Sequence, residues 1–294
     1  MTFRALTPGQ RSSVLLGGPH DDAPVLLFET DELLVEAPNW SLDGRTLYLN
    51  GNGRLWALTV DDPTAGLTPI DFHGLPELNN DHVLDPDGEH ILLSAMDGHI
   101  YRGALTGGPV TKLTADDDRW HFLHGVSPDG TRIAYVELEG FEHPGRLAIA
   151  PAVEGGGPVT VLDTGDGHVD GPEWSPDGRW LLCNTEHYGT APGHAQLARI
   201  PDGGGELEQL VVSDTVDWFP HLSPDARLAS YIAFPAGTIG HPADLDVEVR
   251  LVSTDDWATP VRRYPLFGGQ GTLNVNSWAP DSSRFAFVTY PITS

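Results

Sequence analysis

Lysine is nearly absent from this chain. Lys112 stands alone beside 15 arginines, so chemistry that spreads over several lysines is excluded. Cysteine is as scarce: Cys183 lies inside the apolar stretch "WLLCNT", where a free cysteine behaves as a small buried hydrophobe. A single cysteine rules out a disulfide framework and any paired-cysteine metal site. Long apolar runs are missing too, and the N-terminal "MTFRALTPGQRSS" lacks the apolar core of a secretion signal. The expectation is a cytoplasmic protein with no membrane partner. Basic charge is outweighed, 16 Lys and Arg against 42 Asp and Glu, and the formal charge of −26 repels phosphate backbones. Nucleic acid is therefore excluded as a partner. No G-x-S-x-G nucleophile turn or HExxH helix occurs, and "GGQGT" lacks the lysine of a phosphate-binding loop.

What the chain has in quantity is glycine (34), proline (25) and one short phrase. The phrase reads "NWSLDGRTLYL" at first, then "VLDPDGEHILL", "GVSPDGTRIAY", "EWSPDGRWLLC", "HLSPDARLASY" and "SWAPDSSRFAF". Its central aspartates fall at Asp43, Asp87, Asp129, Asp177, Asp225 and Asp281, spacings of 44, 42, 48, 48 and 56 residues. Periods of this size, with a turn signal in each, mark a propeller in which every copy supplies about four short strands. Proline presets the first corner of the turn, aspartate bonds back to the chain, and glycine takes the left-handed conformation that closes a hairpin. Alternating apolar residues follow, as at Ile133 and Tyr135. The reading is all-β: one six-bladed β-propeller domain over residues 1–294, with four strands per blade. The last copy has only two strands, while "SVLLG" and "PVLLFE" precede the first. Together they complete one blade, which also removes open strand edges.

The "SPDG" repeat resembles the Pro-Asp repeats of TolB-like six-bladed propellers over nearly the whole chain. The segments "NNDH", "DGPEWSPDG", "WFPH", "GHPADLDV" and "LFGGQGTLNV" look like a group of bacterial TolB-like proteins. TolB itself carries a secretion signal and an additional N-terminal domain that engages envelope lipoprotein; this sequence shows neither, so that role is not expected of it. The repeat is shared by binding proteins, peptidase gating domains and lyases, so the fold alone does not settle an activity.

A site is sought where the copies differ. The innermost strand of a blade runs toward the "SPDG" turn, so residues just ahead of that turn crowd the mouth of the central channel. In place of small apolar residues they include His82, His124, Glu173, His221, Asn39 and Asn276. Loops on the same face add His73, His121, His143, His168, His187, His194 and His241, which brings ten of the 13 histidines to one side. His82, His124 and His221 are the candidate metal ligands. Three imidazoles with a carboxylate or amide oxygen suit a divalent ion, Mn, Fe or Zn, with Ca a remaining option. Unmetallated histidines hydrogen-bonding a polar ligand are the competing reading. His221 stands one residue out of step with the other two, and a bulge at Pro220 would bring it into line.

Placement of histidines at the mouth is similar to oligogalacturonate lyases, which have seven such blades and hold a metal there with His and Gln. The resemblance implies a metal-dependent, lyase-like enzyme acting on an oligosaccharide or sugar acid. Glu173, Asp170 and His168 are then candidates for base or proton relay. Trp120 and Trp218 could stack on sugar faces and Arg119 clamp an anionic group, with Asn80, Asn276, Gln270, His241 and Asp244 as further ligand contacts. Packing in the blades is the plain alternative for both tryptophans. The long loop "PAGTIGHPADLDV" is expected to fold over the mouth. A non-catalytic binding scaffold is the other function class, with a small molecule or oligosaccharide as partner in either case.

Overall fold

The computed structural model describes residues 4–292. Four sheets have four antiparallel strands each, and together with two variant sheets they form the six blades of a β-propeller. Blade one runs through Glu36–Trp40, Thr46–Gly51, Arg54–Thr59 and Leu67–Ile70. Blade three begins at Trp120–Val126, blade four at Val169–Trp174 and blade five at Val216–Leu222.

The two variants depart from four strands per blade. Blade two, from Leu78–Leu84 outward, gains a fifth strand, Phe72–His73, parallel to Gly108–Lys112 at its outer edge. Blade six is a three-stranded sheet of Phe285–Thr289, Ser12–Gly17 and Val25–Thr30. Its innermost position is reduced to one bridge, Trp278 to Phe285. The N-terminal strands close the ring as the strand count requires: Ser13 to Gly17 pair with Thr289 to Phe285. The apolar core is distributed between neighbouring blades. Val14 and Leu16 from blade six, for instance, pack on Leu47 and Leu49 from blade one. Cys183 is fully buried in the layer between blades three and four, and burial pushes its thiol up to about 12, far from a reactive thiolate.

The repeated turn is one device built six times. A backbone hydrogen bond closes each copy, from Gly44 N to Ser41 O at 3.0 Å through Ser282 N to Ala279 O at 2.9 Å. In four copies the serine hydroxyl also donates to the turn aspartate, as from Ser127 to Asp129 at 2.6 Å. The residue that needs positive φ is glycine in the first four copies, but Ala226 (57°) and Ser282 (61°) in the last two. A side chain costs energy in that conformation. Ala226→Gly and Ser282→Gly are each expected to stabilise the ring by about 0.5–1 kcal/mol, partly offset by the freer unfolded chain. Urea unfolding should show the midpoint moving up with an unchanged slope.

Among the described residues no helix is long and apolar enough to cross a membrane.

Candidate functional site

Innermost strands are where the blades stop being regular. The pairing of the first strand with the second shifts register in blades one to five, between Glu36 and Asn39, Leu78 and His82, Leu123 and Gly125, Asp170 and Glu173, and Trp218 and His221. In blades one, four and five the shift holds a left-handed residue ahead of a proline: Ala37 (φ 52°), Gly171 (62°) and Phe219 (55°) precede Pro38, Pro172 and Pro220. An inserted residue breaks two-residue alternation and re-aims side chains, so these strands send adjacent residues into the mouth. Holding Ala37 and Phe219 there costs on the order of 1–3 kcal/mol each, strain of a kind that collects at functional sites.

A cleft of about 600 Å³ opens among blades two to five. Asp170 anchors its polar side. His124 Nε2 lies 2.9 Å from Asp170 Oδ1, while His168 Nε2 and His241 Nε2 lie 3.4 and 3.9 Å from Oδ2. The tautomer of His168 follows from its neighbour: Nδ1 accepts the Gly145 amide at 2.8 Å, so Nε2 carries the hydrogen that faces Asp170. Asp81 comes in from blade two, 4.0 Å from His124 Nε2.

Burial works against a charged imidazole at His124, but Asp81 and Asp170 outweigh it and hold its pKa up at about 9. The ring also stacks on Phe219, with centroids 5.5 Å apart, which favours the cationic form. Burial likewise opposes the charge on His168, yet Asp170 keeps its pKa above the ordinary value. Asp170 is itself buried, and the two imidazoles hold it well below the usual carboxylate range. At His241 burial outweighs the pull of Asp170, with the neighbouring imidazoles adding to it, and pushes the pKa down to about 4. Burial raises Asp81 to about 6 in spite of His124. One cleft therefore holds a cationic donor next to a carboxylate that titrates near neutrality.

Four aromatic side chains share the lining: Phe141 is exposed and Phe122 half-buried, while Trp218 and Phe219 are buried against the imidazoles. Trp218 is packed against His241, ring centroids 4.4 Å apart. Three polar atoms on residues of the lining are buried without a hydrogen-bond partner among the described residues: His124 Nδ1, Trp218 Nε1 and His241 Nδ1. Each such orphan costs about 1–3 kcal/mol.

The sequence-derived candidates divide into groups. Asp170, His168, His124, Asn80, Trp218, Gln270 and His241 line the cleft. The loop ahead of Leu245–Ser253 lies in its wall through Ile239, Gly240, His241 and Pro242. Glu173, His221 and Asn276 instead form a buried network of their own. Glu173 Oε2 is 2.5 Å from His221 Nδ1, Glu173 Oε1 accepts Asn276 Nδ2 at 2.6 Å, and His221 Nε2 donates to the Leu273 carbonyl at 3.2 Å. Asn39 extends the network by donating to the Asn276 carbonyl. Glu173 thus braces blades four, five and six and does not line the cleft.

Three other candidates are diverted. Arg119 does not reach the cleft: it is tied to Glu137 at 2.7 Å and Glu139 at 3.1 Å. Trp120 packs beside Phe141 and Phe122 but is not part of the lining. Asp244 accepts Gln10 at 2.7 Å and Arg4 at 3.3 Å. It ties the loop to the N-terminal segment.

The three expected metal ligands have hydrogen-bonding partners of their own. Among the described residues no three His, Cys, Asp or Glu side chains are grouped to hold a metal ion. Both nitrogens of His221 are committed to oxygen acceptors, Nε2 of His124 to Asp170, and Nε2 of His82 lies 3.4 Å from the Tyr48 carbonyl. His82, His124 and His221 do not form a ligand set. Sequence reasoning missed Asp81, Phe219, Phe122, Phe141 and Glu186. Strict alternation sets Asp81 apart from Asn80 and His82, and the inserted residues after Leu78 undo that rule.

Relatives agree with this architecture. The uncharacterized protein Atu1656 of Agrobacterium fabrum is 36% identical over 272 residues, covering 90% of this chain and 87% of the relative. A solved structure of a candidate TolB from Agrobacterium tumefaciens superposes with a TM-score of 0.84 at 33% identity, over 97% of this chain and 99% of that one. The chain belongs to the TolB-like six-bladed β-propellers. More distant members of the architecture match in fold alone. TolB from Acinetobacter baumannii gives a TM-score of 0.62 at 18% identity, over 88% of this chain and 64% of that one. An oligogalacturonate lyase in complex with manganese gives 0.53 at 12%, over 94% and 76%. No protein-family model matches.

Proposed function

We propose that this TolB-like propeller binds a small hydroxylated ligand of saccharide type in the cleft at its channel mouth. The observation that carries the reading is the cleft itself: about 600 Å³, lined by the exposed Phe141 and half-buried Phe122 as well as by Asp170 and its imidazoles. Saccharides present apolar ring faces to aromatic side chains and hydroxyls to carboxylates and imidazoles, which is this division of labour.

A second reading, turnover of the bound saccharide by a lyase-like or hydrolytic reaction, is favoured by one observation. Asp81 at about 6 and His124 at about 9 lie 4.0 Å apart, a proton acceptor beside a proton donor. The metal suggested by the lyase resemblance has no ligand set here, so no step passes through one.

Calorimetric titration with a panel of mono- and disaccharides tests binding. Phe141 is 58% exposed, so Phe141→Ala should leave the fold intact while weakening binding roughly tenfold, the worth of one stacking contact. A panel with no ligand at millimolar concentration, or an affinity indifferent to Phe141→Ala, would remove the saccharide reading. Turnover should fall below about pH 6 as Asp81 protonates, and Asp81→Asn, which removes the proton acceptor, should abolish it at every pH.

A further inference from the structure

No lysine or arginine lines the cleft, although three carboxylates do: Asp81, Asp170 and Glu186. The two arginines that sit closest along blade three, Arg119 and Arg146, are both bound by Glu137 and Glu139. Four histidines face the three carboxylates, but they do not balance them. His124 and His168 share Asp170, at 2.9 and 3.4 Å. His143 points to Glu142, 3.7 Å away. His241 adds no charge near neutral pH, because burial outweighs the pull of Asp170 3.9 Å away. Glu186 has no ion pair among the described residues, so even with His124 and His168 both charged the lining remains negative. The surrounding chain, at −26, deepens that potential. The rings of Phe141 and Phe122, the aromatic side chains of the lining that are not buried, add their negative faces, which attract cations.

We propose that the cleft selects a ligand carrying a protonated amine, an amino sugar in its simplest form. This rests on the cleft being the ligand site, and it turns away from the sugar acids that the lyase resemblance implied. An anionic sugar would meet Asp81 and Glu186 with no arginine to clamp its carboxylate. An amine bound in the cleft would find in one lining the Glu186 carboxylate, outside any ion pair among the described residues, and the accessible rings of Phe122 and Phe141.

Matched disaccharides test the proposal on the full chain by calorimetry: the diamine of chitobiose, its N-acetylated form and a digalacturonate, with spermidine as a non-sugar amine. The expected result is at least a tenfold preference for the diamine over both other disaccharides, about 1.4 kcal/mol. Because Glu186 is partly exposed, that preference should shrink as salt is raised and fall several-fold in Glu186→Gln. The N-acetylated or acidic disaccharide binding as tightly as the diamine would overturn the proposal and leave the saccharide reading standing. Spermidine binding that is lost in both Glu186→Gln and Phe141→Ala, with no disaccharide bound, would support the amine and remove the sugar. If no amine binds, or amine binding is indifferent to both substitutions, the proposal fails.

Discussion

Removal of residues 1–30 is expected to yield an aggregating chain and no smaller soluble domain. The deletion takes out Ser12–Gly17 and Val25–Thr30, two of the three strands of the closing sheet, and leaves Phe285–Thr289 with an open edge. Val14 and Leu16 leave a layer that includes Leu47, Leu49, Val288 and Tyr290. At about 1.5–3 kcal/mol for each large apolar side chain, plus the lost strand pairing, the deficit is comparable with a protein's whole stability of about 5–15 kcal/mol. The same deletion strips Arg4 from the buried Glu36, 3.1 Å away, leaving a carboxylate without its partner. Size-exclusion chromatography and circular dichroism of the truncated chain check this. A monomer with native β signal would show that the ring closes by other means.

Substitution at Asp170 is expected to have the next largest effect, and its size changes with pH. The folded pKa of His124, about 9, lies above its unfolded value near 6.5. Its contribution to stability is therefore fully present below about 6.5 and lost as pH rises through 9, on the order of 3 kcal/mol in all. Asp170 is depressed, so its contribution holds above its unfolded value near 4 and is lost only in stronger acid. Asp81, raised to about 6, takes some stability away between about 4 and 6 as it ionises in a buried place. Asp170→Ala leaves His124 buried beside a lost counter-ion and should destabilise the protein by about 3–5 kcal/mol at pH 7. Asp170→Asn keeps a hydrogen-bonding group but not the charge. Denaturant unfolding at intervals from pH 7 to 10 should show the wild-type chain losing stability steeply and Asp170→Asn losing less than half as much. Parallel slopes for the two proteins would mean that Asp170 does not hold the His124 charge.

Legibility was uneven across the site. His124, His168, Asp170, Trp218, Gln270 and His241 could be picked out because imidazoles, carboxylates and a long loop are unusual next to a structural turn. Glu173 and His221 were conspicuous for the same reason, yet they spend their polar groups on each other. Composition cannot separate a residue that is free to act from one already paired. Arg119 makes the point from the other side: a lone arginine near the mouth suggests an anion clamp until Glu137, 18 residues later and on the adjacent strand, is found holding it. Asp81 escaped notice because the inserted residues in its strand cancel the alternation on which strand reading depends.

Sequence alone determined the ring: six turn phrases at near-constant spacing, alternating apolar strands and two orphan strands at the N-terminus. These are local signals, repeated often enough that one bad copy, such as Ala226 or Ser282 in the glycine position, does not obscure them. Tertiary structure alone decided the site. The bulges ahead of Pro38, Pro172 and Pro220 choose which inner-strand residues face the mouth, and pairing across blades decides which carboxylates and imidazoles stay available. Both depend on residues tens to hundreds of positions apart in the chain, as Asn276 is from Glu173 and Arg4 from Asp244, and a one-dimensional pattern holds no record of such distances.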